Sequence, residues 1–205
     1  MISTKNAGSG KDRSPLSCSL GCGQDGFLVL GIGAGCGATA GELRGGFGRA
    51  SAQVGGYTVA AYVVANPVGS VVDPATGLLY GDPQKPPVDL ERFSALERPV
   101  PRLNTTIGVV ATDAPLSTAE LKRLAMTAHD GIARAVRPAH SPLDGDTLFA
   151  VSTGEPDAGG RGVPDVEARA LLGEGAAQLV QAATVDAICS ATSAYGATAW
   201  RDIAS

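Results

Sequence analysis

Residues 57–66, YTVAAYVVAN, form a run of β-branched and aromatic side chains stopped by Asn66-Pro67, and this pattern predicts a buried strand with Asn66 at its end. A second run, TTIGVVAT at 105–112, reads the same way and is followed by STAELKRLAMTAHDGIARAVRP at 117–138. The latter predicts a helix: Ser117 and Glu120 make a capping box, Leu121, Leu124, Ala128 and Ile132 fall on one face, and Pro138 closes it. DTLFAVST, 146–153, is a third strand entered through the acidic turn PLDGD, and the alanine-rich stretch 166–192 predicts a long helix suited to close packing.

The remaining segments connect these elements. Residues 1–26 carry no apolar period and read as an unstructured lead-in. Residues 27–48, FLVLGIGAGCGATAGELRGGFG, imitate a strand followed by a dinucleotide-binding glycine loop. That fingerprint wants a helix opening at its last glycine and an acidic residue about 20 positions later, whereas here glycine persists through Gly45, Gly46 and Gly48. Residues 81–103, rich in proline and charge, read as an exposed, mobile connection running into Asn104. Alternating strands and helices in 205 residues imply one layered α/β or α+β domain, spanning 27–205.

Composition narrows the partners. A net charge of −4, with arginines scattered along the chain, gives no general attraction to phosphate backbones or anionic lipid, so nucleic acid is not an expected partner. Cysteines at 18, 22, 36 and 189 lack C-x-x-C spacing, and two histidines, His129 and His140, are too few to complete a zinc site, so no metal or other cofactor is expected. Both histidines, one within the helix and one just beyond it, read as structural. With neither a signal-like apolar segment nor a membrane span, the expectation is a cytoplasmic protein with reduced thiols and no membrane partner.

The stretch RLNTTIGVVATDA, 102–114, raises the chemical question. Asn104-Thr105-Thr106 spells a glycosylation acceptor, which matters only to a secreted chain, and Thr105 could be an ordinary strand-opening residue. A threonine hydroxyl becomes a nucleophile when a base takes its proton, and one solution is the threonine's own α-amine. Cutting the Asn104–Thr105 bond would free that amine, with an unperturbed pKa near about 7.7–8.0 suited to a general base. Asn66 at its strand end is a candidate oxyanion donor, and Asp144 and Asp146, on one face of an extended segment, could orient the ammonium. The pair can equally be read as a D-G-D turn.

Four ordered stretches, GAGCGATAGELRGGFG, ANPVGSVVDPATG, NTTIGVVATDAPLS and KRLAMTAHDGIARAVRPAHSPLDGDTLFAVSTG, resemble the L-aminopeptidase/D-esterase family, which includes β-aminopeptidases and endotype 6-aminohexanoate-oligomer hydrolases. The likeness is close over about residues 30–154 and looser over the C-terminal helix. It implies an αββα sandwich of the N-terminal-nucleophile type that cleaves itself before a Ser or Thr, its two pieces staying together, commonly in tetramers. By resemblance Thr105 is the nucleophile and Asn104–Thr105 the processing site, dividing the domain into 27–104 and 105–205. Asn66 matches the oxyanion asparagine, and Asp144 and Asp146 match the acidic pair of the threonine-type members. Arg44 stands where the glycine-rich motif usually carries a lysine near the nucleophile, keeping the charge but not the ability to lose a proton. Relative to the family the chain is N-terminally short. The resemblance implies a small peptide, amide or ω-amino oligoamide as substrate; the alternative is an inactive remnant serving as a packing or assembly subunit.

Overall fold

The strand expected at 57–66 is β4 (Tyr57–Ala65), and it lies inside a four-stranded sheet in the order β3-β4-β5-β6. The structure, a computed structural model, describes residues 33–97, 104–155 and 162–205. β3 (Gly46–Val54) joins β4 through Gly55-Gly56, with φ of 57° and 85°, the positive values that a two-residue hairpin of type I′ requires. β5 (Ile107–Thr112) pairs antiparallel with β4, and β6 (Thr147–Ser152) pairs parallel with β5. A parallel pair needs a crossover, supplied by α2 (Thr118–Ala135).

Small residues let the helices sit directly on this sheet. A Cβ on Gly48 would come within 2.0 Å of the Ala183 carbonyl oxygen in α3 (Val166–Ser190), and one on Gly131 of α2 within 2.2 Å of the Ala177 carbonyl oxygen. α3 thus meets β3, and α2 meets α3, at backbone distance. The covered face of the sheet buries Val59, Ala61, Val63 and Val110 beneath α2 and α3. Its opposite face exposes Tyr62, Ile107, Phe149 and Val151, apolar side chains brought side by side by the strand register.

Glycines in 33–48 open onto a short 3₁₀ turn at Gly33–Gly35, the two-residue strands β1 (Thr39–Ala40) and β2 (Leu43–Arg44), and then β3. A strand rather than a helix follows them, so the helix N-terminus on which a pyrophosphate would rest is missing there. The lead-in 1–26 and the end of the proline-rich connection, 98–103, lie outside the described residues. Residues 81–97 are mostly exposed, as expected of the connection, but are pinned to the body at two points. Val88 and Phe93 are buried, Val88 bridges to Ala204, and Asp89 caps the short helix α1 (Leu90–Ser94) by accepting from the Arg92 N–H. Two buried side chains offset the polarity that the sequence displays. No helix among the described residues is long and apolar enough to cross a membrane.

The predicted capping box opens α2, with Leu124, Ala128 and Ile132 buried and Leu121 half-buried. The Ser117 hydroxyl and backbone N–H both donate to Glu120, at 2.7 and 2.8 Å, and Arg169 of α3 reaches its other oxygen. The Ser117 hydroxyl first, then its N–H and Arg169, hold the Glu120 carboxyl down from the ordinary 4.5 to about 2. A folded pKa below the unfolded value contributes stability that is fully present above pH 4.5 and is lost as pH falls toward 2. Because the side chain is partly exposed, the effect is discounted to roughly 1 kcal/mol. Urea midpoints between pH 5 and 2 should therefore fall less steeply in Glu120→Gln than in the parent.

Candidate active site

Strand register brings three distant positions to one end of the sheet. β4 and β5 pair with Val64 opposite Ile107; two residues further along, the Thr105 N–H donates to the Asn66 carbonyl oxygen at 3.1 Å. On the other side β5 and β6 pair with Ile107 opposite Thr147, and the ladder continues outward: Thr147 N–H to Thr106 O at 2.9 Å, Gly145 N–H to Asn104 O at 2.9 Å, and Asn104 N–H to Leu143 O at 3.2 Å. Asn66, Thr105 and Gly145 thus become neighbours although about 40 residues separate each from the next.

Gly145 is where the chain presses closest on the Thr105 side chain. Its N–H holds the Asn104 carbonyl oxygen, and a Cβ there would stand 2.7 Å from the Thr105 hydroxyl oxygen. The nucleophile candidate and the carbonyl just before it are therefore both pressed against one glycine. Thr105 is half-buried and alternates with Ile107 toward the sheet face that the helices leave open. Thr106 points the other way: it is wholly buried and its hydroxyl has no partner among the described residues.

Each candidate acid clamps a different segment. Asp144 accepts from the Val68 N–H at 2.8 Å and from the Ser141 hydroxyl at 2.6 Å, tying the turn to the residue after Asn66-Pro67. Asp146 accepts from the Thr106 N–H at 2.9 Å and meets His140 Nδ1 at 2.9 Å with its second oxygen. Asp146 therefore holds the residue after Thr105, and Asp144 holds the segment after Asn66. His140 in turn stands edge to face against His129, their ring centroids 5.2 Å apart. Burial first, and the like charge of His140 second, push the His129 imidazole below its ordinary value.

Asn66 is anchored at both ends. Its side-chain oxygen accepts from the Thr39 N–H at 3.0 Å, while its backbone oxygen accepts from Thr105. A peptide N–H only donates, so the oxygen of the amide faces Thr39 and its NH₂ is directed away. Arg44 makes no hydrogen bond to Thr105. It is buried at 3% exposure, donates from Nη1 to the Ala38 carbonyl at 2.6 Å, and lies 5.3 Å from the centre of the Tyr195 ring. Asn104 itself donates from Nδ2 to the Pro67 carbonyl at 3.4 Å.

His140, read from the sequence as structural, joins the site through Asp146, and Ser141 and Gly145 join it through Asp144 and Thr105. Their signal lay in the segment HSPLDGD, where two acids alternate around a glycine and two potential donors lie three to six residues upstream. No cluster of three or more His, Cys, Asp or Glu side chains that could hold a metal ion occurs among the described residues.

Comparison with known proteins agrees with this architecture. The profile of peptidase family S58 matches residues 28–200. An uncharacterized aminopeptidase of Mycobacterium leprae is 51% identical over 146 residues, covering 66% of this chain and 40% of the relative. A 6-aminohexanoate-oligomer endohydrolase of Kocuria is 36% identical over 140 residues, covering 61% of this chain and 39% of the relative. The solved L-aminopeptidase D-Ala-esterase/amidase of Ochrobactrum anthropi, described as a variant of the Ntn hydrolase fold, superposes with a TM-score of 0.56 at 28% identity over 78% of this chain and 44% of that one. The chain thus spans about half or less of the length of these proteins, and its mixed α/β fold is of the same N-terminal-nucleophile type.

Gly145 yields a structural prediction. In Gly145→Ala the new methyl group and the Thr105 hydroxyl cannot both keep their places, so the denaturation midpoint should drop by an equivalent of about 1–3 kcal/mol and the Thr105 methyl resonance should move.

Proposed function

The chain belongs to peptidase family S58, and we propose that it cuts itself between Asn104 and Thr105 and then hydrolyses small amides with Thr105 as an N-terminal nucleophile. One observation carries this reading. The Asn104 carbonyl oxygen is held by the Gly145 N–H at 2.9 Å, beside the same glycine that accommodates the Thr105 hydroxyl. A donor already aimed at a carbonyl that a neighbouring hydroxyl can attack is what stabilising a developing oxyanion requires.

The cut proceeds in two balanced stages. The Thr105 oxygen adds to the Asn104 carbonyl carbon, the C–N bond breaks, and the hydroxyl proton ends on the departing Thr105 nitrogen, leaving Asn104 esterified to Thr105. Water then opens the ester, giving a carboxyl group on Asn104 and a free hydroxyl and α-amine on Thr105. That nitrogen already donates to the Asn66 carbonyl oxygen. This bond persists for an amine and leaves its lone pair available as the general base.

Turnover uses the same hydroxyl on an incoming amide. The freed amine takes the proton, the Asn66 NH₂ offers a hydrogen bond to the substrate oxyanion, Asp146 holds the backbone after Thr105 and Asp144 the segment after Asn66. Substrates of this reading are the amino-terminal residues of small peptides, amino-acid amides and ω-amino oligoamides, supported by relatives described as an aminopeptidase and a 6-aminohexanoate-oligomer endohydrolase.

A second reading, an assembly subunit without turnover, draws on the bare apolar face of Tyr62, Ile107, Phe149 and Val151 and on the chain's share of its relatives' length. Intact mass separates the two. The 20.5 kDa chain should give two fragments meeting between Asn104 and Thr105 after incubation at neutral pH. Thr105→Ala should remain whole and Thr105→Ser should still split. Asn66→Ala should lower amide hydrolysis about 10²- to 10³-fold, the usual loss for one oxyanion donor. A parent that stays uncut leaves the assembly reading ahead, and a Thr105→Ala chain that still splits at Asn104 removes Thr105 from the mechanism.

A further inference from the structure

Arg44 is a cationic side chain almost wholly buried, at 3% exposure. Burying a guanidinium is unfavourable unless strong hydrogen bonds offset its desolvation. Its short bond, 2.6 Å from Nη1, goes to the neutral carbonyl of Ala38, while its plane lies near the Tyr195 ring. That carbonyl and the Thr39 N–H belong to one peptide unit, and the Thr39 N–H is the group that donates to the Asn66 side-chain oxygen at 3.0 Å.

We propose that Arg44 is a positioning residue that strengthens the Asn66 amide as a hydrogen-bond donor, acting through the single peptide unit between Ala38 and Thr39. The proposal rests on the reading of Asn66 as the oxyanion donor. A cation on the oxygen side of a peptide draws electron density toward that oxygen and makes its N–H more acidic. The N–H then polarises the Asn66 carbonyl, and the NH₂ at the far end of the same conjugated amide becomes a stronger donor. Hydrogen bonds in such a chain reinforce one another by roughly 10–30% each in condensed phase. The chain also fixes which way round the Asn66 amide lies, since Thr39 offers a donor only.

This role fits arginine. A group that acts by constant charge has no need to lose a proton, and a planar fork can hold one carbonyl while lying against an aromatic ring. β2 carries Arg44 and pairs with β1, which carries Thr39 opposite it, so the charge and the N–H it acts through are set by one register. The Arg44 N–H is itself anchored to the Thr198 carbonyl at 2.8 Å.

Two replacements separate charge from packing. Arg44→Gln retains a neutral donor able to satisfy the Ala38 carbonyl, and Arg44→Lys retains the charge. In ¹⁵N-labelled chain, the Asn66 side-chain NH₂ resonances, assigned by their loss in Asn66→Ala, should shift toward those of a weaker donor in Arg44→Gln and return toward the parent in Arg44→Lys. With an amino-acid p-nitroanilide, kcat should fall on the order of tenfold in Arg44→Gln with KM unchanged, and stay within about threefold in Arg44→Lys. Combined with Asn66→Ala, Arg44→Gln should cause no further fall, because its effect passes through Asn66. An Arg44→Gln protein that is folded, with Asn66 resonances and kcat equal to the parent's, overturns the proposal and leaves the proposed function standing. If the parent hydrolyses no amide, the proposed function falls for this chain, and the Asn66 resonances decide alone: movement with charge upholds the link, and no movement overturns it.

Discussion

Everything at this site hangs on the continuation of a β ladder beyond the ends of its strands. Thr105 N–H to Asn66 O, Gly145 N–H to Asn104 O and Thr147 N–H to Thr106 O are ordinary sheet hydrogen bonds of 3.1, 2.9 and 2.9 Å. They set β4, β5 and the approach to β6 in register, and register decides which side chains are neighbours. A slip of one residue in either pairing would turn Thr105 toward the helices and present Thr106, now wholly buried, in its place.

The loops make that register rigid. Beyond Asn66 the chain is fastened to the end of α2 by two reciprocal bonds between Ser70 and Arg137, both 2.9 Å, and to the acidic turn by the bond from Val68 to Asp144. The acidic turn is fastened to β5 by Asp146 and to itself by Ser141. Side chains satisfy the backbone N–H groups that an ending sheet would otherwise leave open. A carboxylate serving two donors at once restrains both segments, so the polar groups expected to do chemistry also maintain the frame in which chemistry could occur.

How much of this was legible in the sequence follows from what each residue contributes. β4, β5, β6, α2 and α3 announce themselves through apolar runs, periodicity and a capping box, because those patterns are local. β3 does not. Its Gly46, Gly48 and Ala50 are small because α3 lies against them, a reason that exists only in three dimensions. The buried Val88 and Phe93 were hidden within charge and proline. At the site, the positions of Asn66, Thr105, Asp144 and Asp146 could be approached through strand ends and a turn. The place of Gly145 beneath the Thr105 hydroxyl, of His140 on Asp146, and of Arg44 one peptide away from the Asn66 side chain depends on pairings between segments remote in sequence. Arg44 in particular reaches the Asn66 side chain only through the peptide between Ala38 and Thr39, a link that no spacing in the sequence displays.

The position of the Asn104–Thr105 bond within the sheet has a consequence for the history of the molecule. β4 precedes that bond and β5 follows it, yet the two are adjacent strands paired from Val59–Thr112 to Val64–Ile107, with α3 lying across β3 and β4 from the far side of the cut. A break there would leave one folded body made of two polypeptides, interleaved and without a covalent tether. Folding would have been unimolecular before it; reassembly after denaturation would be bimolecular and would slow on dilution. The native arrangement would then be reached easily once, by the uncut chain, and its persistence afterward would be governed by how slowly it comes apart.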